Sequence, residues 1–552
     1  MNENGIPDAA EDLNDDGIVD VLDCREPLPG EDIAVGGNVS TPAGPLDRFA
    51  AVWFVPAGGG EAIAADIAID GSYTVELDEG DYDAFASRPG YEDVVDVLSV
   101  TEAGPNVLDF SLPEIPDGEY ITSEQCGVCH TVEYASFIQT GHPFKLNKVV
   151  NNEQPIYPFT TLNGVLERIT DDGADIDGGL PDVNGTLTDN PLGTPVTWAD
   201  VSYVIGGYFW KARFVDQNGS IVTGSNVQYN FADDTMTAYH NNEDDKNYNC
   251  GNCHTTGWVH TEPGELGQDD LEFMQGTFSE GGVHCEACHA AGASHAKLRG
   301  GIVRNAVPRS LIELTADDAG FGLAVACGEC HTRDGERDYS TYMSGYDNAL
   351  AAADPPVADP RPNEMGGRIA ASGGLIKHHE QYDEILGIDP DTLTTTRSGA
   401  FLATHGNCMN CHNPHGSSVN VDNALYTGMP GVDPTNDGCL TCHADYDPMA
   451  RVGLGMQGLL CSDCHMPDLA KSAIKTGGAE DRPDLGDVKT HIFTIALDSE
   501  QPQFNDAGNF AYPAIDENWA CRTCHNSSDT GIIFSVPDGF IDTYVFHDNI
   551  VD

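Results

Sequence analysis

The pattern Cys-x-x-Cys-His occurs eight times in 552 residues. In chain order the units are Cys126/Cys129/His130, Cys250/Cys253/His254, Cys285/Cys288/His289, Cys327/Cys330/His331, Cys408/Cys411/His412, Cys439/Cys442/His443, Cys461/Cys464/His465 and Cys521/Cys524/His525. One helical turn can offer both thiols of a unit to the vinyl groups of one haem. The next residue then points its imidazole at the iron as the proximal ligand. A single Cys-x-x-Cys also suits a zinc knuckle or a redox dithiol, but neither requires His at the next position every time. Eight c-type haems, with their iron, are therefore the expected cofactors. Units five to seven crowd into residues 405–467, with His405 and His415 flanking the fifth.

Nineteen histidines leave eleven beyond the proximal eight. A second imidazole on an iron leaves no open position, whereas a water or Lys ligand marks catalysis. His142 lies in FIQTGHPF, His240 precedes the second unit, and His295 follows His289 in CEACHAAGASH. His491 lies in GDVKTHIF, and His547 follows the last unit. His378 and His379 open an expected helix, LIKHHEQYDEIL, in which His379 lies slightly nearer the apolar face. The distal set is thus His142, His240, His295, His379, His405, His415, His491 and His547, with His378 the alternative to His379. His260 and His284 are spare. The sequence does not say which distal His serves which iron. Methionine is the rival ligand, and Met343, Met365 and Met456 are within its scope.

The elements around these units differ along the chain. Residues 1–30 are acidic. Asp12, Asn14, Asp16, Ile18, Asp20 and Asp23 supply oxygens at loop positions 1, 3, 5, 7, 9 and 12, with Gly17 at the sharp turn; Ile18 would use its carbonyl. That pattern predicts Ca2+, and the segment resembles thrombospondin type 3 calcium repeats; an acidic linker is the plainer reading. Cys24 is either free or half of a disulfide. Residues 31–113 hold no His, and runs such as Tyr73, Val75 and Leu77 alternate with polar residues after an Asp70-Gly71 turn. They predict an antiparallel β-sandwich. DGSYTVELDEGDYDAFASRPGYED resembles the carboxypeptidase-regulatory-like, transthyretin-type β domain, which implies a non-catalytic module. Residues 114–552 are expected to be a mostly irregular, sparsely helical octahaem cytochrome c domain, with paired strands in VSYVIGGYFWKARFVDQNGSIVTG. The fold class is therefore multidomain.

Formal net charge is −64, from 25 Lys+Arg and 89 Asp+Glu. Such a surface repels nucleic acid and favours saline or divalent-rich surroundings. No apolar run is long enough to span a membrane. MNENGIPD lacks a basic and apolar leader, yet covalent haem attachment happens outside the cytoplasm. A processed, extracellular or cell-surface protein is therefore expected.

GVHCEACHAAGASH, CGNCHTTGW, CHNPHG and CHMP followed by GDVKTHIF together resemble large multihaem c-type cytochromes of anaerobic respiring bacteria and archaea. The resemblance covers about residues 118–550. It implies an extracellular electron carrier exchanging electrons with other cytochromes or extracellular acceptors. Some extracellular relatives polymerise into haem-chain filaments, so self-association into a homopolymer is a further expectation. Others are octahaem enzymes, and the alternative is a reductase of nitrogen or sulfur oxyanions with one open haem. Cys-x-x-Cys-Lys, the variant marking a nitrite-reducing haem in relatives, is absent, which favours the carrier over the catalyst.

Overall fold

Tyr73, Val75 and Leu77 alternate inward along one strand, and that period of two sets the architecture of the N-terminal part. The computed structural model describes residues 33–169 and 196–297 with short gaps, parts of 327–443, and 460–477, 483–496 and 501–522. The calcium-pattern residues 12–23, Cys24, Cys442, Cys524, His525, His547, Met343, Met365 and Met456 lie outside the described residues. Two compact units result: Met1–Pro116 with Lys297–Val303, and Asp117–Ala296 with Arg304–Asp552.

In the first unit, β1 (Ile33–Thr41), β2 (Gly44–Pro45), β5 (Asp66–Ile67) and β6 (Ser72–Leu77) form one sheet in the order β2-β1-β6-β5. The second sheet, of β3 (Ala51–Pro56), β4 (Ile63–Ala64), β7 (Gly80–Ser87) and β8 (Val94–Val100), runs β4-β3-β7-β8. Val35, Val39, Tyr73 and Leu77 of the first share one core with Val52, Phe54, Tyr82 and Val100 of the second. One pairing departs from the antiparallel expectation: β9 (Phe110–Ser111) lies parallel to β1, with Val39 opposite Phe110. Gly37 permits it, because a Cβ there would stand 1.8 Å from the Leu108 carbonyl oxygen. Phe54 is fully buried with ring centroids 6.2 Å from Tyr73 and 6.5 Å from Tyr82. Phe54→Ala should cost about 3–5 kcal/mol by transfer and cavity terms together. Denaturant unfolding followed by far-ultraviolet circular dichroism checks this, and a loss below about 1 kcal/mol would refute the shared core.

The second unit is richer in β structure than the sequence reading expected. Between the first and second Cys-x-x-Cys-His units stands a seven-stranded sheet. It comprises β10 (Leu146–Lys148), β11 (Val201–Gly206), β12 (Lys211–Asp216), β13 (Ser220–Ile221), β14 (Gly224–Asn230), β15 (Thr235–Tyr239) and β16 (Lys246–Asn247). Strands β11 and β12 pair as expected, Val204 opposite Phe214. Both faces are covered. Val204, Ala212 and Phe214 join one core; Tyr203, Ile205 and Val215 join another with Leu146, Tyr248 and Met274. Burial on two faces explains why Tyr203, Val204 and Ile205 are consecutively apolar rather than alternating. The sheet therefore builds its own side-chain core, and β16 delivers the chain directly to Cys250.

Two short ladders follow: β17 (Thr255–Thr256) on β20 (Glu280–Gly281), and β18 (Val259–His260) on β19 (Gly276–Thr277). They bring the second unit near the third. Further on, β21 (Ala370–Ala371) and β23 (Ala470–Lys471) flank β22 (Leu375–Lys377). The helix expected over LIKHHEQYDEIL is thus only half present. Leu375–Lys377 is a strand, and the helix is Gln381–Leu386. Parallel pairing of Ile376 with Ala470 outcompetes the local helical period. His378 and His379 sit in the turn between, His379 at φ 83°.

Candidate metal centres

Among the described residues, the attachment units are built as single helical turns. The backbone N–H of His130 donates to the Cys126 carbonyl at 2.9 Å, and His331, His412 and His443 do the same to Cys327, Cys408 and Cys439 at 2.9, 2.8 and 2.9 Å. Short helices carry the third and seventh units, Cys285–His289 and Cys461–His465. That turn holds two sulfurs and one imidazole on a common edge, as double thioether attachment requires.

The second cysteines of the units, all expected to bind haem, are placed unequally. Cys129 is exposed, whereas Cys253, Cys288, Cys330, Cys411 and Cys464 are half-buried. The N–H groups of Cys129 and Cys411 close the turn on the Cys126 and Cys408 carbonyls at 3.1 and 3.2 Å. These thiols do not gather round a metal: among the described residues, no three or more His, Cys, Asp or Glu side chains form a group that could hold an ion. Among the described second cysteines, Cys129 alone is exposed.

The proximal rings are oriented from behind. His254 Nδ1 lies 3.2 Å from the Lys145 carbonyl oxygen, His331 Nδ1 3.2 Å from Gln381 Oε1, and His465 Nδ1 2.7 Å from the Phe493 carbonyl oxygen. An N–H at Nδ1 donating to such an oxygen leaves Nε2 bare for a metal. Burial holds His142, His254 and His491 down to about 3 and depresses His289, His331, His412 and His465 as well. These imidazoles are neutral at pH 7, the form that ligates metal.

Histidines far apart in sequence face one another in pairs. Ring centroids lie 6.1 Å apart in His130–His295, 6.0 Å in His289–His415, 6.0 Å in His412–His491 and 6.0 Å in His443–His405. His331 has two such neighbours, His379 at 6.2 Å and His142 at 6.4 Å. Imidazole nitrogens bind a metal ion at about 2.0–2.1 Å, so rings on opposite sides of one ion have centroids about 6 Å apart. Every pair joins one histidine of a Cys-x-x-Cys-His unit to one outside any unit. The donor set and spacing fit a haem iron between them.

The remaining spare histidines differ. His284 has Nδ1 2.5 Å from Ser123 Oγ and Nε2 2.9 Å from the Gly281 carbonyl oxygen, so both nitrogens are engaged by the chain. His260 is exposed, with Nδ1 3.2 Å from the Gln275 carbonyl oxygen. His240, expected among the distal set, is exposed and lies edge-on to Tyr239 at 4.5 Å. His378 has Nδ1 3.1 Å from the Lys471 carbonyl oxygen.

Several supporting residues carried no sequence signal. Glu384, on helix Gln381–Leu386, is buried and accepts from the His491 backbone N–H at 2.5 Å and from Thr490 Oγ1 at 3.0 Å. Phe493 packs against both His405 and His491, 5.3 and 5.9 Å between centroids, while its carbonyl holds His465. Arg397 donates to the Ile492 carbonyl at 2.5 Å, fixing the same segment. Among the described residues, no helix is long and apolar enough to cross a membrane.

Two family models match parts of the chain. Residues 402–448 match the doubled CXXCH motif, and residues 216–290 match cytochrome c554 and c-prime. No curated protein matches the chain. Solved structures similar to it include the octaheme sulfite reductase MccA of Wolinella succinogenes, at 14% identity and TM-score 0.40, covering 76% of this chain and 66% of that one. The outer cell wall cytochrome OcwA is 16% identical with TM-score 0.35, covering 68% and 80%. An undecaheme cytochrome from the S-layer of Carboxydothermus ferrireducens is 16% identical with TM-score 0.34, covering 78% and 60%. The recurring attachment turns and the two family matches together make the chain a multihaem c-type cytochrome, an electron-transfer protein with covalently bound haem c.

Proposed function

We propose that the chain carries electrons outside the cytoplasm on eight covalently attached haems, most of them closed on both axial positions by histidine. Haem supplies reversible one-electron chemistry at iron; the chain's part is to hold, orient and shield it. The observation that carries this reading is the set of His–His pairs at 6.0–6.2 Å, each joining an attachment unit to a distant imidazole. We assign His295 to the first unit, His415 to the third, His491 to the fifth and His405 to the sixth. His379 or His142 serves the fourth. The partners are other cytochromes or extracellular acceptors.

The test is a pyridine haemochrome count together with low-temperature electron paramagnetic resonance of the native ferric protein. Eight haems per chain and low-spin signals alone are expected. A haem count below eight, or a high-spin ferric signal, overturns the closed-site carrier. Self-association into a filament, aided by Ca2+ at Asp12–Asp23, belongs to the same proposal. Monomers at every salt and calcium concentration under negative stain would remove that part.

One observation favours a second reading, a reductase, at one site. Lys145, Lys211 and Arg213 all bring positive charge to His254, with burial holding Lys145 below its usual value and the His379 imidazole also within electrostatic reach. In a chain of net charge −64, three cations beside one iron ligand suit a small oxyanion at the sixth position. A high-spin signal lost together with Cys250 and Cys253 would select this reading.

A further inference from the structure

One short helix serves two attachment sites. Helix Gln381–Leu386 carries Gln381 and Glu384 three residues apart, so they share one face. Gln381 Oε1 lies 3.2 Å from His331 Nδ1, and the Tyr382 N–H donates to the His331 carbonyl at 2.9 Å, which seats the helix on the fourth unit. Glu384 meets the segment that brings in His491. Its Oε1 accepts from Thr490 Oγ1 at 3.0 Å and its Oε2 from the His491 backbone N–H at 2.5 Å. The same Oε2 stands 3.9 Å from His491 Nδ1, and the His491 ring faces His412 of the fifth unit at 6.0 Å.

The two contacts differ in charge. Behind His331 stands the neutral carboxamide of Gln381. Behind His491 stands a carboxylate that is 1% exposed, so water and salt screen it little. A metal-bound imidazole backed by a carboxylate is a more basic ligand, and a fixed negative charge favours ferric iron over ferrous. An amide orients the ring without adding charge. The Lys489 carbonyl also reaches the His491 ring, but it too is neutral.

We propose that this helix sets the fourth and fifth sites apart in potential: the Glu384 carboxylate, acting through His491, holds the fifth lower, while the Gln381 amide leaves the fourth higher. Both are positioning residues for electron transfer. This rests on the reading that both sites carry haem and that His491 is an axial ligand of the fifth. The helix itself keeps the two influences close, since residues three apart lie about 5–6 Å from each other between Cβ atoms. One electron available to both sites then favours the fourth, which is reduced while the fifth stays oxidised.

The test is a mediated redox titration of the full-length holoprotein followed by haem absorbance, each variant first being counted for haem by haemochrome. In Glu384→Gln one haem's share of the absorbance change should move to higher potential, with low-spin resonance signals retained. In Cys408→Ala/Cys411→Ala, which lacks the fifth haem, the same substitution should move nothing. Gln381→Glu should move one haem's share to lower potential, and nothing once Cys327→Ala/Cys330→Ala has removed the fourth haem. An unmoved curve in Glu384→Gln, a downward movement, a new high-spin signal in that variant, or a movement that persists without the fifth haem overturns the proposal. If Glu384→Gln carries fewer than eight haems, Gln381→Glu decides, and an unmoved curve there overturns the proposal. His491→Ala separates the proposal from its basis. It should create a high-spin ferric signal, and the absence of one overturns the ligation reading and the proposal with it.

Discussion

Gly251→Ala should remove haem from the second attachment site and cost the protein about 3 kcal/mol, at the upper end of the overpacking range. Gly251 directly follows Cys250, inside the turn that carries both thiols, and a Cβ there would stand 1.9 Å from the Trp258 indole. Such a contact is normally relieved by moving the side chain. Here it cannot move away, because a Cβ on Gly276 would stand 2.3 Å from the opposite part of the same indole. Phe278 stacks on the ring at 6.3 Å and Tyr248 meets it edge-on at 5.9 Å. The indole is thus clamped between two glycine backbones beside the core that buries Tyr248 and Met274. An added methyl group has to push the Cys250–His254 turn outward instead, which disturbs the geometry double thioether attachment requires. Haem content by mass should fall by one per chain. Trp258→Leu in the same chain should restore part of it, since it removes the obstructing ring; no recovery would mean that something other than the indole enforces glycine.

The attachment turns were legible in the sequence, and so were most of the histidines that face them, but which unit each of those histidines faces was not. Cys-x-x-Cys-His reads directly because one helical turn must present three atoms, and the hydrogen bond that closes the turn, such as His331 to Cys327, is local. Tyr73, Val75 and Leu77 were legible for a similar reason, since alternation is a property of one strand. What the spacing could not show is how each sulfur is sheltered: Cys129 is exposed while Cys288, Cys411 and Cys464 are half-buried, because that depends on what packs over each turn. His379 was reached by a helix argument that fails, because Leu375–Lys377 pairs with Ala470–Lys471 and the helix starts only at Gln381. Its ring nonetheless lies 6.2 Å from His331. The seven-stranded sheet was underestimated because only the pair in VSYVIGGYFWKARFVDQNGSIVTG was expected within a mostly irregular domain. Val204 and Tyr203 instead join two separate side-chain cores. Glu384, Gln381 and Phe493 belong to no motif, and their roles exist only once residues 381–386 and 490–493 are side by side.

That division bears on how the protein works. Attachment is specified locally, so each haem can be joined to its turn independently of the others. On the proposed ligation, axial closure is specified by folding, because His295, His405, His415 and His491 all come from outside the unit they face. The second imidazole therefore arrives only when neighbouring units are in place. Ligation and contact between sites are coupled by the same residues, and this makes the third and fifth units interdependent through His415.

Glu286→Ala should cost about 2–6 kcal/mol, because it strips the shared partner from two buried backbone N–H groups at about 1–3 kcal/mol each. Glu286 sits inside the third attachment turn and is almost fully buried. Its carboxylate accepts from the Ile121 N–H at 2.9 Å, five residues before Cys126, and from the Gly292 N–H at 2.6 Å, just before the short helix that carries His295. One side chain thereby ties the third unit to both the entry of the first and its facing imidazole. Burial pushes the carboxyl up to about 7, with the nearby Glu280 carboxylate adding to it and the two N–H donors opposing. The folded protein thus holds this proton more tightly than the unfolded chain, where the value is the usual 4.5. The group's contribution is accordingly full below pH 4.5, declines as pH rises through about 7, and is level above. Glu286→Gln keeps a carbonyl acceptor but cannot ionise. The stability of wild type minus that of the Gln variant should therefore fall between pH 4.5 and about 7 in denaturant unfolding. A difference that rises with pH would show instead that the N–H donors dominate burial and that the ionised carboxylate is the form that holds the two units together.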